Sequence, residues 1–508
     1  MPRALLSVSD KEGIAGFARG LQRLGYELFA TGSTLETIRD AAIDARPVSE
    51  LTGFPEMMDG RIKTLHPGVH AGILARRDRP EHMESLKQHG LVEIDLVCCN
   101  LYPFVATVTR PAVTFEEAIE QIDIGGPTMI RAAAKNHESV VVVVRPERYA
   151  EVLGALSERT LDAAMRRRLA AEAFAHTSAY DSWIAAYMRG AETDAFPPEL
   201  TLAGLLAQPL KYGENEHQKA AFYRVGPDPG GLGGAVQVQG KELGFNNIQD
   251  ASAAFQLVRD YELPAAAIVK HMNPCGLAVA ADIAKAYRLA YECDTVSAFG
   301  GIVAVNRPLD RSTAEQIVQI VTHVVIAPEI LDEAKDVLAR RKSMIVLAAD
   351  APRAGILDFD VRSVPGGFLV QEWDREGFDR SAFVVATRRA PTEAEWEQLG
   401  FAWTAVKHVK SNAIVLFRDG AAVGVGAGQM SRVEAVQIAV RRAGERARGS
   451  VMASDAFFPF ADGLEEGIRA GVTAAIQPGG SLKDAEVVAA ADTAGIAMVM
   501  TGRRHFKH

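Results

Sequence analysis

The sequence predicts an α/β protein whose first part is a doubly wound domain around a parallel sheet. Three observations predict this fold: short apolar segments alternate with segments of helical periodicity, two of the apolar segments are uninterrupted, and polar turns separate them. The uninterrupted segments, residues 94–101 and 140–144, are typical of strands buried on both faces of a parallel sheet.

The chain opens with two predicted strand–turn–helix units. A predicted strand at residues 4–8 precedes an S-x-x-E motif at 9–12, and a predicted strand at 26–30 precedes the same spacing at 33–36. This spacing is that of a capping box, so each motif predicts the start of a helix.

An alanine-rich helical pattern over residues 161–188 ends at a polar stretch with two adjacent prolines, residues 190–198. Because the proline pair cannot continue a helix, we place a domain boundary near residue 198. The chain is thereby divided into two domains, residues 1–198 and residues 199–508.

The second domain is also predicted to mix strands and helices. An Arg-Asp-Gly turn between two apolar segments predicts a hairpin over residues 413–425, and an S-x-x-E motif at 431–434 predicts the start of a helix. Further strands are predicted at residues 265–269, 301–305, 344–348 and 497–500.

The composition indicates a folded chain in a reducing compartment. Of the 508 residues, 48% are hydrophobic and 23% are charged, which excludes a disordered chain or a fibre. The net charge of −9 provides no general attraction for nucleic acid or an anionic membrane, and no apolar run approaches the ~18 residues of a membrane span. Four cysteines do not make a disulfide framework, and the first residues are too polar for a signal peptide, so we expect a cytoplasmic protein.

Residues 7–11 and 31–34 follow the first two predicted strands and carry hydroxyl groups and a lysine. Ligands usually bind at the carboxyl edge of a parallel sheet, where free N–H groups at helix starts favour a phosphate. The alternative interpretation is a pair of well-capped helices that bind nothing.

Residues 60–72 are dense in cations, hydroxyl groups and glycine. Arg61 and Lys63 could bind a phosphate or polarise a carbonyl, and a plain basic surface loop is the alternative. Two histidines in this segment are four residues apart, but the Pro-Gly pair between them breaks a shared helical face, so a metal site is not favoured.

Other polar residues follow predicted buried strands. Asp123 precedes a glycine-rich turn and a helix with Lys135 near its end, while Asn100 and Tyr102 follow the strand at 94–101. Polar groups at such ends can converge on a ligand, although each one alone is an ordinary cap or turn residue.

Lys270 and His271 directly follow the predicted strand at 265–269. Such a pair can supply a cation for developing negative charge and a base that is neutral near pH 7. The alternative is a solvated strand end without a chemical role.

Two cofactor signatures are incomplete. Pro274-Cys275 begins like the P-C-x-x-C motif of zinc deaminases, but Ala278 stands where the second cysteine is required. The glycines at 424–428 are followed by Gln429 instead of the last glycine of a dinucleotide-binding motif. We therefore expect neither zinc nor a nicotinamide cofactor.

Taken together, these motifs resemble the bifunctional AICAR formyltransferase/IMP cyclohydrolase family. They occur in the family's order across essentially the whole chain, and the ordered set is specific although no single motif is decisive. The matching segments are residues 6–11, 61–67, 99–104, 123–127, 131–137, 270–271, 297–301, 426–429, 454–460 and 504–506.

The resemblance implies a methylglyoxal-synthase-like N-terminal domain and two cytidine-deaminase-like C-terminal α/β subdomains that lack zinc. It implies that the C-terminal part transfers a formyl group from 10-formyltetrahydrofolate to the 5-amino group of AICAR, and that the N-terminal domain closes the ring to give IMP. It also implies a homodimer with the transferase site between subunits, small-molecule substrates and no required metal.

For formyl transfer, the resemblance implies that His271 is the base and that Lys270 stabilises an oxyanion or protonates the leaving folate nitrogen. Asn412 matches the position that orients the substrate and the histidine. Lys211 stands where the family usually has arginine; the lysine keeps the positive charge but lacks the bidentate fork of a guanidinium. His323 stands where an acid is common. The implied substrate-binding residues are Lys211, Tyr212, Asn247, Phe299, Gly300, Phe457, Arg504 and Phe506.

For ring closure, the resemblance implies Lys63 and Tyr102 as oxyanion stabilisers and Asp123 and Lys135 as proton carriers. Two other hypotheses are a nucleotide-sensing module and a transferase whose cyclohydrolase domain has decayed, and the presence of these four residues together favours catalysis. The implied nucleotide and phosphate ligands are Ser7, Ser9, Lys11, Thr31, Gly32, Ser33, Thr34, Arg61 and Thr64.

Overall fold

The protein folds into two compact units, one extending to Gly204 and the other beginning at Leu205. Residues 191–195, inside the stretch used to predict the boundary at 198, lie outside the described residues. The structure, a computed structural model, describes residues 1–55, 57–58, 62–110, 112–190, 196–226, 229–352 and 359–508.

The first unit is built on a five-stranded parallel sheet. Its strands are β1 (Arg3–Ser7), β2 (Glu27–Ala30), β3 (Arg46–Pro47), β4 (Leu96–Cys99) and β5 (Val141–Val143). The strand order is β3-β2-β1-β4-β5, so the direction of winding reverses between β1 and β4. This is the doubly wound arrangement predicted from the alternating pattern, and its reversal point is where such folds bind ligands.

Helices connect these strands and pack on a core that includes the fully buried Leu5, Leu6 and Val97. The helices are α1 (Ile14–Arg23), α2 (Gly32–Asp40), α3 (Ser49–Thr52), α4 (Pro67–Leu74), α5 (Pro80–Gln88), α6 (Phe104–Val108), α7 (Phe115–Glu120), α8 (Gly125–Lys135), α9 (Tyr149–Glu158) and α10 (Ala163–Arg189).

Neither predicted capping box in this unit forms. α1 begins only after the turn that follows β1, because the N–H groups of Ser9 and Asp10 donate to Asn100 Oδ1 at 2.6 and 3.0 Å. α2 begins at Gly32, one residue before the predicted cap Ser33, and has no side-chain cap. Before α1, Asn100 thus accepts the Ser9 N–H that Glu12 would accept in a capping box, and Glu12 N donates to Asp10 Oδ1 at 2.9 Å.

The second unit is built on a mixed sheet of twelve described strands. These are β8 (Val236–Gln239), β9 (Ala265–Lys270), β10 (Asn273–Val279), β11 (Gly301–Val305), β12 (Thr322–Ala327), β13 (Ile345–Ala348), β16 (Val384–Val385), β17 (Ile414–Arg418), β18 (Ala421–Gly426), β19 (Val451–Ser454), β20 (Ala474–Gln477) and β21 (Ala497–Met500). Two antiparallel hairpins lie outside it, β6 (Leu205–Leu210) with β7 (Ala220–Arg224) and β14 (Phe359–Val364) with β15 (Gly367–Glu372).

The helices of the second unit separate these strands along the chain. They are α11 (Phe245–Arg259), α12 (Ile283–Cys293), α13 (Arg311–Ile317), α14 (Asp332–Leu338), α15 (Glu393–Val406), α16 (Arg432–Ala443), α17 (Ala461–Arg469) and α18 (Asp484–Ala494).

The twelve-stranded sheet consists of two halves with the same order of elements. In each half a helix leads into an antiparallel hairpin, and three helix–strand units follow: β9–β13 in the first half and β17–β21 in the second. The halves meet where β10 pairs with β18, at Ala278 and Ala421. This repeat agrees with the two tandem α/β subdomains expected from the resemblance.

Each half packs its second helix directly on the second strand of its hairpin. A Cβ on Gly276 in β10 would lie 2.0 Å from Ala290 O in α12, and one on Gly426 in β18 would lie 1.9 Å from Ala435 O in α16. Only glycine permits this approach. The predicted hairpin over 413–425 and the helix cap at Ser431 are both confirmed.

Candidate active sites

The turns after β1 and β2 meet at the carboxyl edge of the first unit's sheet. The hydroxyls of Ser7 and Thr31 are 2.7 Å apart, which joins the ends of the two strands. Thr34 Oγ1 accepts from Val8 N at 3.1 Å and donates to Val8 O at 2.9 Å. Hydroxyl groups from both turns therefore lie together beside the start of α2.

Two lysines add positive charge at this edge. A Cβ on Gly32 would be 3.0 Å from Lys63 Nζ, so this ammonium lies against the turn after β2. Burial lowers the pKa of Lys11, and although Asp10 opposes this shift, the nearby charge of Lys63 adds to it. Two neighbouring cations beside hydroxyls and a helix start suit a phosphate group.

Asp123 lies near Lys63, on the β4 side of the point where the winding of the sheet reverses. Burial raises the pKa of its carboxyl group, while the N–H groups of Gly126 and Tyr102 and the charge of Lys63 oppose the shift. Its Oδ1 accepts from Gly126 N at 2.8 Å. Burial and the charge of Asp123 also raise the pKa of Tyr102.

The segment before α8 is held by residues from distant parts of the unit. A Cβ on Gly125 would lie 2.7 Å from Thr64 Oγ1, which places Thr64 at the start of this helix. Tyr180 accepts from Asp123 N at 2.9 Å and donates to Gln121 O at 2.8 Å. Sequence reasoning missed Tyr180, because nothing in the pattern of α10 distinguishes it from a packing residue.

One residue predicted for this site lies apart from the others. Lys135 is exposed at the last position of α8, about 15 Å along the helix axis from the end that carries Asp123. Arg61 lies outside the described residues.

Lys270 and His271 line a cavity of about 230 Å³ in the second unit. Lys270 ends β9, and His271 follows at the tip of the β9–β10 hairpin. Lys270 Nζ donates to Phe299 O at 3.0 Å, which fixes the ammonium beside the loop before β11. Asp294 and Arg442 also line the cavity, and their side chains are 3.1 Å apart.

Asn412 lies before β17 in a network centred on a buried ion pair. Arg432 Nη2 donates to Asn412 Oδ1 at 2.6 Å, and Asn412 Nδ2 donates to Gln429 O at 2.8 Å. Arg432 Nη1 donates to Asp455 Oδ1 at 2.5 Å and to Ser454 Oγ at 2.8 Å. Sequence reasoning did not assign Arg432 or Asp455 a role, although Asp455 belongs to the matching segment 454–460.

Asn273 connects the turn that carries His271 to the loop that carries Asn412. Its Nδ2 donates to His271 O at 3.0 Å, and its Oδ1 accepts from Lys410 N at 3.0 Å. Because Lys410 directly precedes the Ser411–Asn412 pair, the turn with His271 and the loop with Asn412 lie side by side.

The C-terminal segment joins this region, because Ser411 N donates to Lys507 O at 2.9 Å. The Arg504 guanidinium lies over the Phe506 ring, 4.5 Å from its centroid. Phe299, Phe457 and Phe506 are 60%, 39% and 42% exposed, so their rings are available to a flat ligand.

Gly300 has a φ of +71°, and a Cβ there would lie 3.4 Å from the His323 ring. His323 therefore stands beside the loop that carries Phe299, at the position where an acid is common in the family.

Lys211 and Tyr212 follow β6, with the lysine ammonium 5.6 Å from the centre of the tyrosine ring. Asn246 Nδ2 donates to Glu214 O at 3.3 Å, which ties this loop to the first turn of α11. In that turn Asn247 Oδ1 accepts from Gly244 N at 3.4 Å. The approach of these residues to the Lys270–His271 cavity remains a prediction.

Within the described ranges, no three His, Cys, Asp or Glu side chains are grouped so as to hold a metal ion. None of the helices in the part of the chain that the structure describes is long and apolar enough to cross a bilayer.

Two known protein families match this chain. Residues 13–128 match the MGS-like domain, and residues 133–442 match the AICARFT/IMPCHase bienzyme. A solved structure named "Crystal structure of ForH" is 37% identical in sequence and has a TM-score of 0.33. The alignment covers 36% of this chain and 97% of the chain in that structure.

Curated relatives match over the full length of the chain. Proteins named "Bifunctional purine biosynthesis protein PurH" are 53% identical in Cereibacter sphaeroides, 49% in Bacillus subtilis and 53% in Chloroflexus aurantiacus. Each alignment covers 100% of this chain, and 98%, 99% and 98% of the respective relative.

The fold, the two family matches and the full-length relatives define an α/β enzyme of purine biosynthesis. The chain belongs to the AICARFT/IMPCHase bienzyme family. It is a bifunctional AICAR formyltransferase and IMP cyclohydrolase, and it catalyses the last two steps of IMP biosynthesis.

Proposed function

We propose that formyl transfer takes place at the Lys270–His271 cavity and ring closure at the carboxyl edge of the N-terminal sheet. The observation that carries this proposal is that a cation and an imidazole line one cavity in the second unit, while Lys63, Tyr102 and Asp123 cluster in the first. The two sets share no residue, so each can serve one reaction.

The proposed formyl donor is 10-formyltetrahydrofolate. The 5-amino group of AICAR is a weak nucleophile because its lone pair is delocalised into the imidazole carboxamide. As this nitrogen attacks the formyl carbon, His271 takes its proton, the bond to the folate nitrogen breaks and that nitrogen gains a proton. Lys270, held by Phe299 O, stabilises the oxyanion on the formyl oxygen or donates the proton to the leaving nitrogen.

Asn412 is proposed to orient the substrate beside His271. Its support is that Arg432 and Gln429 fix both ends of its amide, and that Asn273 holds its loop against the His271 turn. The remaining proposed contacts to AICAR or folate are Lys211, Tyr212, Asn247, Phe299, Gly300, Phe457, Arg504 and Phe506.

In ring closure the carboxamide nitrogen of the formylated intermediate attacks the formyl carbon, and water is then lost. Lys63 and Tyr102 are proposed to stabilise the alkoxide, and Asp123 to carry a proton. The raised pKa of Asp123 supports this role, because it shifts the carboxyl group toward the pH at which it must exchange a proton. Lys135 remains a predicted proton carrier without a contact to support it. The proposed nucleotide cradle consists of Ser7, Ser9, Lys11, Thr31, Gly32, Ser33, Thr34, Arg61 and Thr64.

The proposal is tested by incubating the purified protein with AICAR and 10-formyltetrahydrofolate and separating the nucleotides by chromatography. We expect AICAR to be converted to IMP with little formylated intermediate. Accumulation of the formylated intermediate would contradict the role proposed for the first unit, and unchanged AICAR would contradict that proposed for the second.

We propose that the chain acts as a cytoplasmic homodimer with the transferase site at the subunit boundary. The free state of all four cysteines supports a reducing compartment. The β14–β15 hairpin supports a partner surface, because Phe368 and Leu369 are 48% and 62% exposed.

The shared site is tested by mixing subunits that carry Lys211→Ala with subunits that carry His271→Ala. If the two residues serve one site from different subunits, random reassociation restores roughly a quarter of the formyl transfer activity, since half of the dimers then contain one intact site. A mixture that stays inactive would contradict the shared site.

A further inference from the structure

His271 occupies the first central position of a two-residue hairpin turn. Lys270 pairs with Asn273 across the turn, and the two central residues have φ values of +53° for His271 and +63° for Met272. Two consecutive positive φ angles define a type I′ turn, which favours Asn-Gly or Asp-Gly. Histidine and methionine rarely adopt this left-handed conformation.

The second half of the unit contains the same turn with an ordinary sequence. Asp419 and Gly420 connect β17 to β18 with φ values of +51° and +81°. The two hairpins occupy equivalent positions in the repeat, so the unfavourable pair belongs to the first half alone. Other contacts must hold the first turn in this conformation.

The structure shows such contacts at both ends of the central peptide. Met272 N donates to Asp250 Oδ1 at 2.7 Å, and His271 O accepts from Asn273 Nδ2 at 3.0 Å. A flip of this peptide would convert a type I′ turn into a type II′ turn, and the two bonds oppose that flip. The Met272 side chain packs against the core of the unit.

We propose that Asp250 is a positioning residue for formyl transfer. From α11, its carboxylate fixes the peptide between His271 and Met272 and thereby directs the imidazole into the cavity that Lys270 also lines. The inference rests on the proposed role of His271 as the base. Asp250 acts through the turn, so its loss changes the rate of the chemical step more than the affinity for AICAR.

The first test compares Asp250→Ala with Asp250→Asn. Alanine removes the acceptor, and we expect kcat for formyl transfer to fall at least about tenfold with KM for AICAR within about twofold. Asparagine keeps an acceptor oxygen at the same place and should retain most of kcat. Ring closure, assayed from the formylated intermediate, should be unchanged in both variants.

Asp282→Ala is the matched control. Asp282 Oδ1 accepts from Lys285 N at 2.8 Å at the start of α12, so this variant also removes a carboxylate–backbone bond from the first half of the repeat. It should leave kcat within about twofold of the wild type, because it does not touch the turn. A loss of kcat equal to that of Asp250→Ala would overturn the positioning role.

Met272→Gly provides a rescue that a general loss of stability would not show. Glycine adopts a positive φ without strain, so the turn no longer depends on the bond to Asp250. We expect kcat of the Asp250→Ala/Met272→Gly double variant to exceed that of Asp250→Ala at least about fivefold.

His271→Ala distinguishes failure of the proposed base from failure of the positioning role. If His271→Ala keeps the wild-type rate, the proposed base is wrong and the positioning role falls with it. If His271→Ala is inactive while Asp250→Ala stays within about twofold of the wild type, only the positioning role is overturned.

Discussion

Arg432 holds Asn412 from a helix that begins 20 residues later in the chain, through a bond of 2.6 Å between Nη2 and Oδ1. The same guanidinium donates to Asp455, and the two side chains of this ion pair are only 5% and 0% exposed. The amide of Asn412, which is proposed to orient the substrate, is therefore held by a buried ion pair.

Removing the guanidinium should destabilise the second unit and impair formyl transfer together. Arg432→Ala leaves the Asp455 carboxylate buried without its charged partner, and breaking such a pair typically costs about 3–5 kcal/mol of unfolding free energy. We expect that loss in urea denaturation, and a kcat for formyl transfer at least about tenfold lower.

Arg311→Ala is the control for this prediction. Arg311 forms an exposed pair with Glu315 on α13, 2.9 Å long, and such pairs contribute less than about 1 kcal/mol. An equal loss of unfolding free energy in the two alanine variants would contradict the stabilisation expected from the buried Arg432–Asp455 pair.

A methyl group at Gly126 should impair ring closure alone. Its Cβ would lie 2.5 Å from Asp123 Oδ2 and 2.7 Å from Leu101 Cδ2, so the carboxylate must move away. Gly126→Ala should lower the rate of ring closure at least about tenfold while formyl transfer stays within about twofold. Gly154→Ala on α9 meets no atom within 4 Å and should preserve both rates; a similar loss in both variants would contradict the role of Asp123.

His176 should make stability depend on pH. Burial lowers the pKa of this imidazole to about 4, the charge of Arg145 adds to the shift and Glu172 opposes it. The imidazole of His176 therefore takes up a proton near pH 6.5 in the unfolded chain but only near pH 4 in the folded chain. As the pH drops through this window, the unfolding free energy falls by up to roughly 3 kcal/mol.

Urea denaturation at several pH values between 7.5 and 4.5 measures this effect. Because Gln has no charge to gain, the His176→Gln variant should lose less stability than the wild type over the same range. An identical pH dependence of the two proteins would show that His176 is freely protonated in the folded state.

Strand ends were predictable because a change from apolar to polar residues marks them locally. The predicted strand at 265–269 matches β9, which ends at Lys270, and the hairpin over 413–425 followed from its Asp-Gly turn. The turn at His271 and Met272 has no such signal, since neither residue favours the left-handed backbone that tertiary contacts impose on it.

Contacts between distant segments were beyond the reach of sequence patterns. The capping box predicted at Ser9 does not form, and Asn100, 91 residues away, accepts the N–H of Ser9 instead. Arg432 and Asp455 carry no local motif for their pairing. The repeat in the second unit was expected only from the resemblance to the family, because the order of its elements becomes visible once the strands pair.

The division of the two reactions between two sites is measured by the rate of each reaction in Lys63→Ala and His271→Ala, assayed separately from AICAR and from the formylated intermediate. Lys63→Ala should lose ring closure at least about a hundredfold and keep formyl transfer, and His271→Ala should do the reverse. An equal loss of both reactions in either variant would contradict two separate sites in one chain.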